Sequence, residues 1–322
     1  MTHFLQRFAA LVFLATLVLP LICRADTAPE KTAEPSSERM DYTDAAVLGA
    51  VEGVTEYLPV SSTGHLILTK RALGLDEADA SGKTQESRAT DAYLIVIQVG
   101  AIAAVAILYW RDLLAVLLGF CGKNREGLRL GINLLVAFLP AALVGFLLND
   151  WIEEKLFGTM PVVIALAAGA PLMLGAEFWR KRRFGSTGTR EVDKELHELT
   201  LPQCLLIGGM QCIAMAPGTS RSMMTIVGGY FAGLSPVKSA RFSFLLGLIT
   251  LSAATGYTLL RHGRDMAEFL DTGPVLLGLF VATVTAALSV KWLVAWLSGH
   301  GLSLFAYYRL ALAIIILAVV SC

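Results

Sequence analysis

The stretch EGVTEYLPVSSTGH, residues 52–65, holds two glutamates, two serines, two threonines and a histidine in a chain that is otherwise mostly apolar. Pro59 and Gly64 interrupt it, and proline disfavours helix at the residue that precedes it. Polar and ionisable side chains are costly at the depth of a bilayer, so they usually face a cavity and mark a functional site. We therefore predict that this stretch is the centre of a site.

A second polar stretch, QCIAMAPGTSRS, lies at residues 211–222. It contributes Arg221, whereas the first stretch contributes Glu52 and Glu56. Charged side chains within a membrane protein pair with one another or face the same cavity. We therefore predict that the two stretches meet in one pocket.

The composition is typical of a helical membrane protein. Of the 322 residues, 55% are hydrophobic and 16% are charged, and the formal net charge is zero. Several apolar runs are long enough to cross a bilayer as helices, and the alternating pattern of a membrane barrel is missing. No basic groove with interleaved aromatic residues indicates nucleic acid as a partner. These features exclude a nucleic-acid-binding function.

The first 42 residues differ from the rest of the chain. Residues 1–25 combine Arg7, an apolar run and the sequence Cys23-Arg24-Ala25, a pattern that predicts a secretory signal peptide, with an uncleaved membrane helix as the alternative. Residues 26–42 are polar and predict a disordered leader. We assign residues 43–322 to a single membrane domain.

Each half of that domain predicts one broken helical hairpin followed by three full membrane spans. The hairpins surround the polar stretches, because helix–break–helix is tolerated in a membrane only where a cavity or protein satisfies the freed backbone groups. The predicted fold is therefore an all-α polytopic membrane protein with six transmembrane helices and two re-entrant hairpins. The predicted spans are Ala92–Trp110, Gly131–Asn149, Met160–Phe178, Ala240–Leu260, Pro274–Trp296 and Ser303–Val320.

The two halves, residues 43–179 and 200–322, form an internal repeat. Ser61-Ser62 aligns with Ser220-Arg221, and Gly-x-x-Glu of the first half aligns with Gly-x-x-Gln of the second without a gap. Basic residues in the loops 111–129 and 179–198 place both loops in the cytoplasm by the positive-inside rule. The two hairpins then open to opposite sides, which predicts an inverted-topology repeat of the kind found in transporters.

The second break contains the groups that bind an anion. Residues 217–222 precede a helix, whose free N–H groups and positive end favour negative charge. Arg221 adds a planar donor fork suited to phosphate, and Ser220 and Ser222 add hydroxyl groups. Ser61 and Thr63 offer the same chemistry at the helix start of the first break. These residues form the predicted phosphate-binding set.

The first break contains the groups that could react. Glu52 and Glu56 are four residues apart, so they share one helix face and could hold a divalent cation, or one could act as a base. His65 lies near Ser62, so a hydroxyl nucleophile activated by histidine or glutamate is plausible. A phosphate clamp, a metal or base and a nucleophile are the parts that phosphoryl transfer requires.

The stretches AAVLGAVEGVTEYLPVSSTGH and GGMQCIAMAPGTSRS resemble the bacterial undecaprenyl-diphosphate phosphatases, also known as the bacitracin-resistance family. The resemblance covers residues 43–320. It implies a multi-pass inner-membrane enzyme whose site faces the periplasm and which converts undecaprenyl diphosphate to undecaprenyl phosphate and phosphate. This reaction recycles the lipid carrier of peptidoglycan synthesis and confers bacitracin resistance. It also implies dependence on magnesium or calcium.

By position, Glu56, Ser62, His65 and Arg221 match the essential residues of that family. We expect Ser62 to attack the terminal phosphorus with Glu56 or His65 taking its proton, and attack by water or by His65 remains open. Glu52 and Glu56 are the expected metal ligands. A transporter or flippase of the lipid phosphate is the alternative function, and the oligomeric state is left open, with a homodimer as one option.

The chain departs from the family pattern after Arg221. Met223 stands where glycine is usual, and we expect it to narrow the backbone conformations available there. The segment Gly247-Leu248-Ile249-Thr250 also lacks a proline that is usual in the family.

Overall fold

The structure is a computed structural model that describes residues 40–75, 78–79, 82–83, 85–156, 158–184, 194–267 and 270–321. The regular secondary structure of these residues is helical apart from one antiparallel pair of two-residue strands, Ala78–Asp79 and Gly82–Lys83. The predicted signal peptide at residues 1–25, and residues 26–39 of the predicted leader, lie outside the described residues.

The helices begin and end as follows. In chain order they are α1 (Tyr42–Thr55), α2 (Ser62–Leu73), α3 (Gln85–Leu108), α4 (Trp110–Phe120), α5 (Arg125–Leu156), α6 (Thr159–Phe184), α7 (Leu201–Ile213), α8 (Arg221–Phe231), α9 (Pro236–Ala267), α10 (Thr272–Leu297) and α11 (Ser303–Ser321), with a 3₁₀ turn at Leu196–Glu198.

Five of these helices are long and apolar enough to cross a membrane, so the chain is a multi-pass membrane protein. The spans are Thr90–Leu108, Arg125–Leu148, Thr159–Arg183, Pro236–Arg261 and Thr272–Leu297. They match five of the six predicted spans. The sixth prediction corresponds to a shorter apolar helix, Ser303–Val319.

The structure corrects two predicted boundaries. The loop expected at 111–129 contains α4, because the apolar residues of WRDLLAVLLGF recur at helical spacing. The span expected to begin at Ala92 is preceded by seven further helical residues, since α3 begins at Gln85 and several residues of QESRA are strong helix formers. The second helix of the first hairpin begins at Ser62, directly after Ser61.

The described residues fall into two compact units. The first contains residues 40–55, 65–104 and 252–289. Within it the buried Tyr93 hydroxyl donates to the Ala45 carbonyl at 2.7 Å. A Cβ on Gly49 would lie 2.7 Å from the Gly278 carbonyl oxygen, so glycine permits α1 to pack closely against α10.

The second unit contains residues 56–64, 105–251 and 290–321, and it therefore includes both polar breaks. In it α4 packs on α5, α5 on α7, α7 on α8, and α6 on both α8 and α11. Thr200 and Gln203 cap the start of α7, and the Gln203 amide also donates to the Ala232 carbonyl at 2.7 Å. Both ends of the second hairpin are thereby tied together. The division into repeats at 43–179 and 200–322 stays a prediction.

Candidate active site

The first break is a tight turn between α1 and α2. Helix α1 ends at Thr55, residues 56–60 turn, and α2 begins at Ser62. Ser61 stands immediately before α2 with a φ of 73°, a conformation that is uncommon for a residue with a Cβ. Glu56 and Ser62 belong to the second unit.

The second break has the same backbone feature. Helix α7 ends at Ile213, Gly218 has a φ of 89°, and Ser220 precedes α8 with a φ of 73°. The Ser220 hydroxyl oxygen accepts a hydrogen bond from the Met223 backbone at 3.3 Å, so this serine is the N-cap of α8. Arg221 is consequently the first residue of the helix.

Two direct contacts join the breaks, and they confirm the prediction that the two stretches meet. Arg221 Nη2 donates to Glu56 Oε1 at 3.0 Å. The Ser222 hydroxyl donates to the Leu58 carbonyl at 2.7 Å. The ion pair is largely buried, with side-chain exposures of 11% for Arg221 and 7% for Glu56. Such a pair is costly to break, because removal of one partner leaves an uncompensated charge.

Glu56 holds the predicted nucleophile as well as the arginine. The Ser62 hydroxyl donates to Glu56 Oε2 at 2.7 Å, so the two carboxylate oxygens have different partners. Since an ionised carboxylate only accepts hydrogen bonds, the serine proton points at a group that can receive it. The hydroxyl and the guanidinium are thus joined through one carboxylate, an arrangement that is suited to nucleophilic catalysis.

Arg221 is fixed from three further directions. Its Nη1 donates to the Ser243 carbonyl at 3.3 Å, and its guanidinium lies 5.1 Å from the centre of the Tyr57 ring. A Cβ on Gly247 would lie 2.6 Å from Arg221 Cζ, so only glycine leaves space for this side chain. The buried Nε has no hydrogen-bond partner, which leaves one donor of the fork unused.

The four other hydroxyl residues predicted to bind phosphate differ in exposure and in partners. Ser61 is buried, whereas Thr63 and Ser220 are partly buried. Ser222 is fully buried, and its proton is committed to the Leu58 carbonyl. In this arrangement Ser222 joins the two breaks and has no proton to donate to a phosphate oxygen.

Glu52 and His65 belong to the first unit. Glu52 lies in α1 and His65 in α2, and both are buried, with 2% of each residue exposed. The backbone carbonyl of His65 accepts a hydrogen bond from the Thr69 hydroxyl at 2.9 Å, a local contact along α2. Their predicted roles stay predictions.

Three residues in and around the second break were not among the predicted site residues. Ser243 and Gly247 contact Arg221, and Arg309 donates to the Gly218 carbonyl at 2.9 Å. Arg309 carried a signal that could have been recognised, since it is a charged residue in the middle of an apolar helix. Ser243 and Gly247 carried none, because small residues are common in membrane helices.

Met223 does not disturb the backbone. It lies in the first turn of α8 and is fully buried, and the positive φ falls on Ser220 and not on Met223. A residue with a helical φ does not need to be glycine. The narrower range of backbone conformations that we expected at Met223 therefore has no consequence for the turn.

The chain is similar to proteins of a known family. The family described as Bacitracin resistance protein BacA matches residues 45–315. The chain belongs to this family. The residues that match the family include both breaks and every predicted site residue.

Curated relatives are similar over most of their length. An undecaprenyl-diphosphatase of Sorangium cellulosum is 41% identical over 280 residues, which cover 86% of each chain. Undecaprenyl-diphosphatase 2 of Rhodospirillum rubrum is 40% identical and covers 85% of this chain and 93% of its own. An undecaprenyl-diphosphatase of Acinetobacter baumannii is 39% identical, with coverages of 87% and 96%.

The donor chemistry is compatible with the divalent cation expected of a bacitracin resistance protein. Glu56 supplies hard oxygen ligands, and each of its oxygens accepts one hydrogen bond. In the part of the chain that the structure describes, no three or more His, Cys, Asp or Glu side chains lie close enough together to hold a metal ion by themselves. A magnesium ion commonly needs only one or two carboxylates, because substrate phosphates and water complete its shell.

Proposed function

We propose that this chain hydrolyses undecaprenyl diphosphate to undecaprenyl phosphate and inorganic phosphate. It thereby recycles the lipid carrier of peptidoglycan synthesis and confers resistance to bacitracin. One observation carries the proposal: in a member of this family, Glu56 accepts hydrogen bonds from both Ser62 and Arg221. A hydroxyl held on a carboxylate beside an arginine is suited to phosphoryl transfer.

The proposed reaction begins with attack by Ser62. Its Oγ bonds to the terminal phosphorus, and its proton passes to Glu56 Oε2, with which it already shares a hydrogen bond of 2.7 Å. The bond between that phosphorus and the bridging oxygen breaks. Undecaprenyl phosphate leaves and takes the proton from Glu56.

Water completes the cycle in a second step. It attacks the phosphoserine phosphorus, and the phosphorus–Oγ bond breaks. One proton of the water passes through Glu56 to Ser62 Oγ, so inorganic phosphate leaves and both side chains return to their starting states. His65 stays an alternative acceptor for these protons.

Arg221 stabilises the negative charge of the transferring group. Its Nε is unused, and its other contacts hold the guanidinium in place before substrate arrives. Donors that are fixed in advance need little reorganisation in the transition state, which makes them effective at stabilising charge. The free N–H groups at the start of α8 add to the same field.

Glu52 and Glu56 are the residues that we propose to hold a magnesium or calcium ion together with phosphate oxygens of the substrate. A bound divalent cation would neutralise charge on the diphosphate. Ser62 remains the nucleophile, Glu56 the proton acceptor and Arg221 the group that stabilises negative charge.

The finer topology is also part of the proposal. We infer six transmembrane helices and two re-entrant hairpins in an inverted repeat, in the bacterial inner membrane, with the site facing the periplasm. The basic residues of the segments 111–129 and 179–198 support this orientation by the positive-inside rule. A homodimer is compatible with this arrangement and stays a proposal.

Transport of the lipid phosphate is the second candidate. The matching φ of 73° at Ser61 and Ser220 favours a structural repeat, and repeats of this kind are common in transporters. Transport alone needs neither a nucleophile nor a base. The contact between Ser62 and Glu56 therefore favours the phosphatase.

The decisive experiment measures phosphate release from undecaprenyl diphosphate by the purified full-length protein in detergent. Wild type is compared with Ser62→Ala and Arg221→Ala, with and without magnesium, calcium and EDTA. We expect metal-dependent release that both variants lose, and a phosphorylated Ser62 in acid-quenched wild type. Activity that persists in Ser62→Ala would exclude the serine nucleophile. No release from folded wild type would overturn the phosphatase and favour transport.

A further inference from the structure

Arg309 is a fully buried arginine in the middle of the last helix. It is the largest fully buried side chain of the described residues, and the neighbouring sequence, YYRLALAIIILAVV, is otherwise apolar. A guanidinium at such a position is expensive unless its donors are satisfied. The groups that accept its hydrogen bonds therefore indicate the role of Arg309.

Those partners are backbone carbonyls. Arg309 Nη2 donates to Gly218 at 2.9 Å and to Ala165 at 3.0 Å, and Nε donates to Leu166 at 3.3 Å. Among the described residues no carboxylate forms an ion pair with Arg309, and its buried Nη1 has no hydrogen-bond partner. The guanidinium thus links three parts of the second unit, namely α11, α6 and the second break.

Helix α6 leaves space for the Arg309 side chain at a glycine. A Cβ on Gly169 would lie 2.8 Å from Arg309 Cζ, so a larger residue would displace the guanidinium. Gly218 also lies close to α6, because its own Cβ would be 2.5 Å from the Val162 carbonyl oxygen. The peptide of Gly218 is therefore held by α6 on one side and by Arg309 on another.

The same two helices contact the first break. A Cβ on Gly64 would lie 3.1 Å from Leu166, 3.4 Å from Leu312 and 3.5 Å from Ile316. Leu166 belongs to α6, and the other two residues belong to α11. The pair α6–α11 is thus the common support of both breaks, and Arg309 is the polar bridge within it.

We propose that Arg309 is a positioning residue for Arg221, an inference that rests on the proposed function. It fixes the carbonyl of Gly218, three residues before Arg221, and thereby fixes where α8 begins. The start of α8 determines whether Arg221 meets Glu56 and the substrate in the productive geometry. A misplacement of about 1 Å can lower the rate of a reaction by roughly 10²-fold.

Lysine cannot perform this role. It keeps the positive charge, but its ammonium is a point donor and cannot reach three carbonyls with the geometry of a planar fork. Arg309→Lys therefore separates the loss of geometry from the loss of charge.

The test is a double-mutant cycle on phosphate release. We expect Arg309→Lys to lower kcat by about 10–100-fold with little change in KM, because it affects the positioning of a group that acts in the transition state. In an Arg221→Lys background the same change should cost less than about threefold, since residues that act through one another are not additive. Equal losses in both backgrounds would overturn the proposal and leave Arg309 with a purely structural role.

Two glycine variants provide a matched pair if Arg309→Lys folds poorly. Both residues lie in α6, but a Cβ on Gly169 meets Arg309 and one on Gly175 meets nothing within 4 Å. Gly169→Ala should lower kcat, and Gly175→Ala should retain wild-type activity. Equal activity of the two variants would contradict the proposal.

Hydrogen exchange gives a readout that does not depend on activity. Arg309→Lys should speed exchange of the amides in residues 214–222 more than that of the amides in residues 56–61. Unchanged exchange in 214–222 would overturn the positioning role. If wild type releases no phosphate, the proposed phosphatase falls, while this measurement still decides whether Arg309 holds the second break.

Discussion

The two polar breaks share one backbone feature and differ in chemistry. In each, a serine with a φ of 73° stands immediately before a helix, Ser61 before α2 and Ser220 before α8. The next residue is Ser62 in the first break and Arg221 in the second. One break therefore presents a hydroxyl where the other presents a guanidinium.

That difference brings complementary groups together in the candidate site. Each break provides a helix start, and the unlike side chains at the two starts complement each other. Glu56 has no acidic counterpart in the second break, because Met215 occupies the aligned position. The Glu56 carboxylate accepts a hydrogen bond from Ser62 of its own break and another from Arg221 of the other break, so the hydroxyl and the guanidinium meet at one residue.

The largest effect is expected at that carboxylate. Glu56→Gln preserves size but removes the base and the charge that pairs with Arg221, so kcat for phosphate release should fall by about 10³-fold. Met215→Gln, at the aligned position of the second break, is the control and should change kcat little. Similar losses in both variants would mean that the breaks are not functionally different.

The arginine of the second break should be next in effect. Arg221→Lys retains charge but not the planar fork, and we expect kcat/KM to fall by about 10²-fold. Arg221→Ala should in addition lower the free energy of unfolding by roughly 3–5 kcal/mol, because Glu56 is left buried without its partner. Full activity of Arg221→Lys would show that only charge is required at this position.

A smaller effect is expected from the space beside Arg221. In Gly247→Ala the new methyl group would displace the guanidinium, and we expect kcat/KM to fall by about tenfold, in line with a small misplacement. Gly256 lies in the same helix, α9, and a Cβ there meets nothing within 4 Å. Gly256→Ala should therefore retain activity, and equal losses in the two variants would argue against this explanation.

The smallest effects concern the shared backbone. Ser61→Gly relieves a positive φ that costs other residues about 1–2 kcal/mol, so it should raise the Tm in detergent. Ser220→Gly relieves the same conformation but loses the hydrogen bond from the Met223 backbone, so the change in its Tm is the difference between the two effects and should be small. A drop in Tm for both variants would show that the serine hydroxyls stabilise the turns by more than the positive φ destabilises them.

Much of the fold could be predicted because apolar length and polar interruption are local properties of the chain. Five predicted spans and both breaks are present. The errors fell where local signals conflict, as in 111–129, where basic residues that indicate a loop lie on both sides of the apolar residues of α4. Helix boundaries such as the start of α2 depend on the conformation of one residue, Ser61, which composition does not reveal.

The sequence by itself determined a multi-pass helical protein of the bacitracin resistance family, with Glu56, Ser62 and Arg221 in two polar breaks. Only the tertiary structure decided which partner each carboxylate oxygen takes and that Gly247 leaves space for Arg221. Only it brought Arg309 to the second break, 91 residues away along the chain. The physical reason is that residue type fixes what a group can bind, whereas packing between distant helices fixes what lies within its reach.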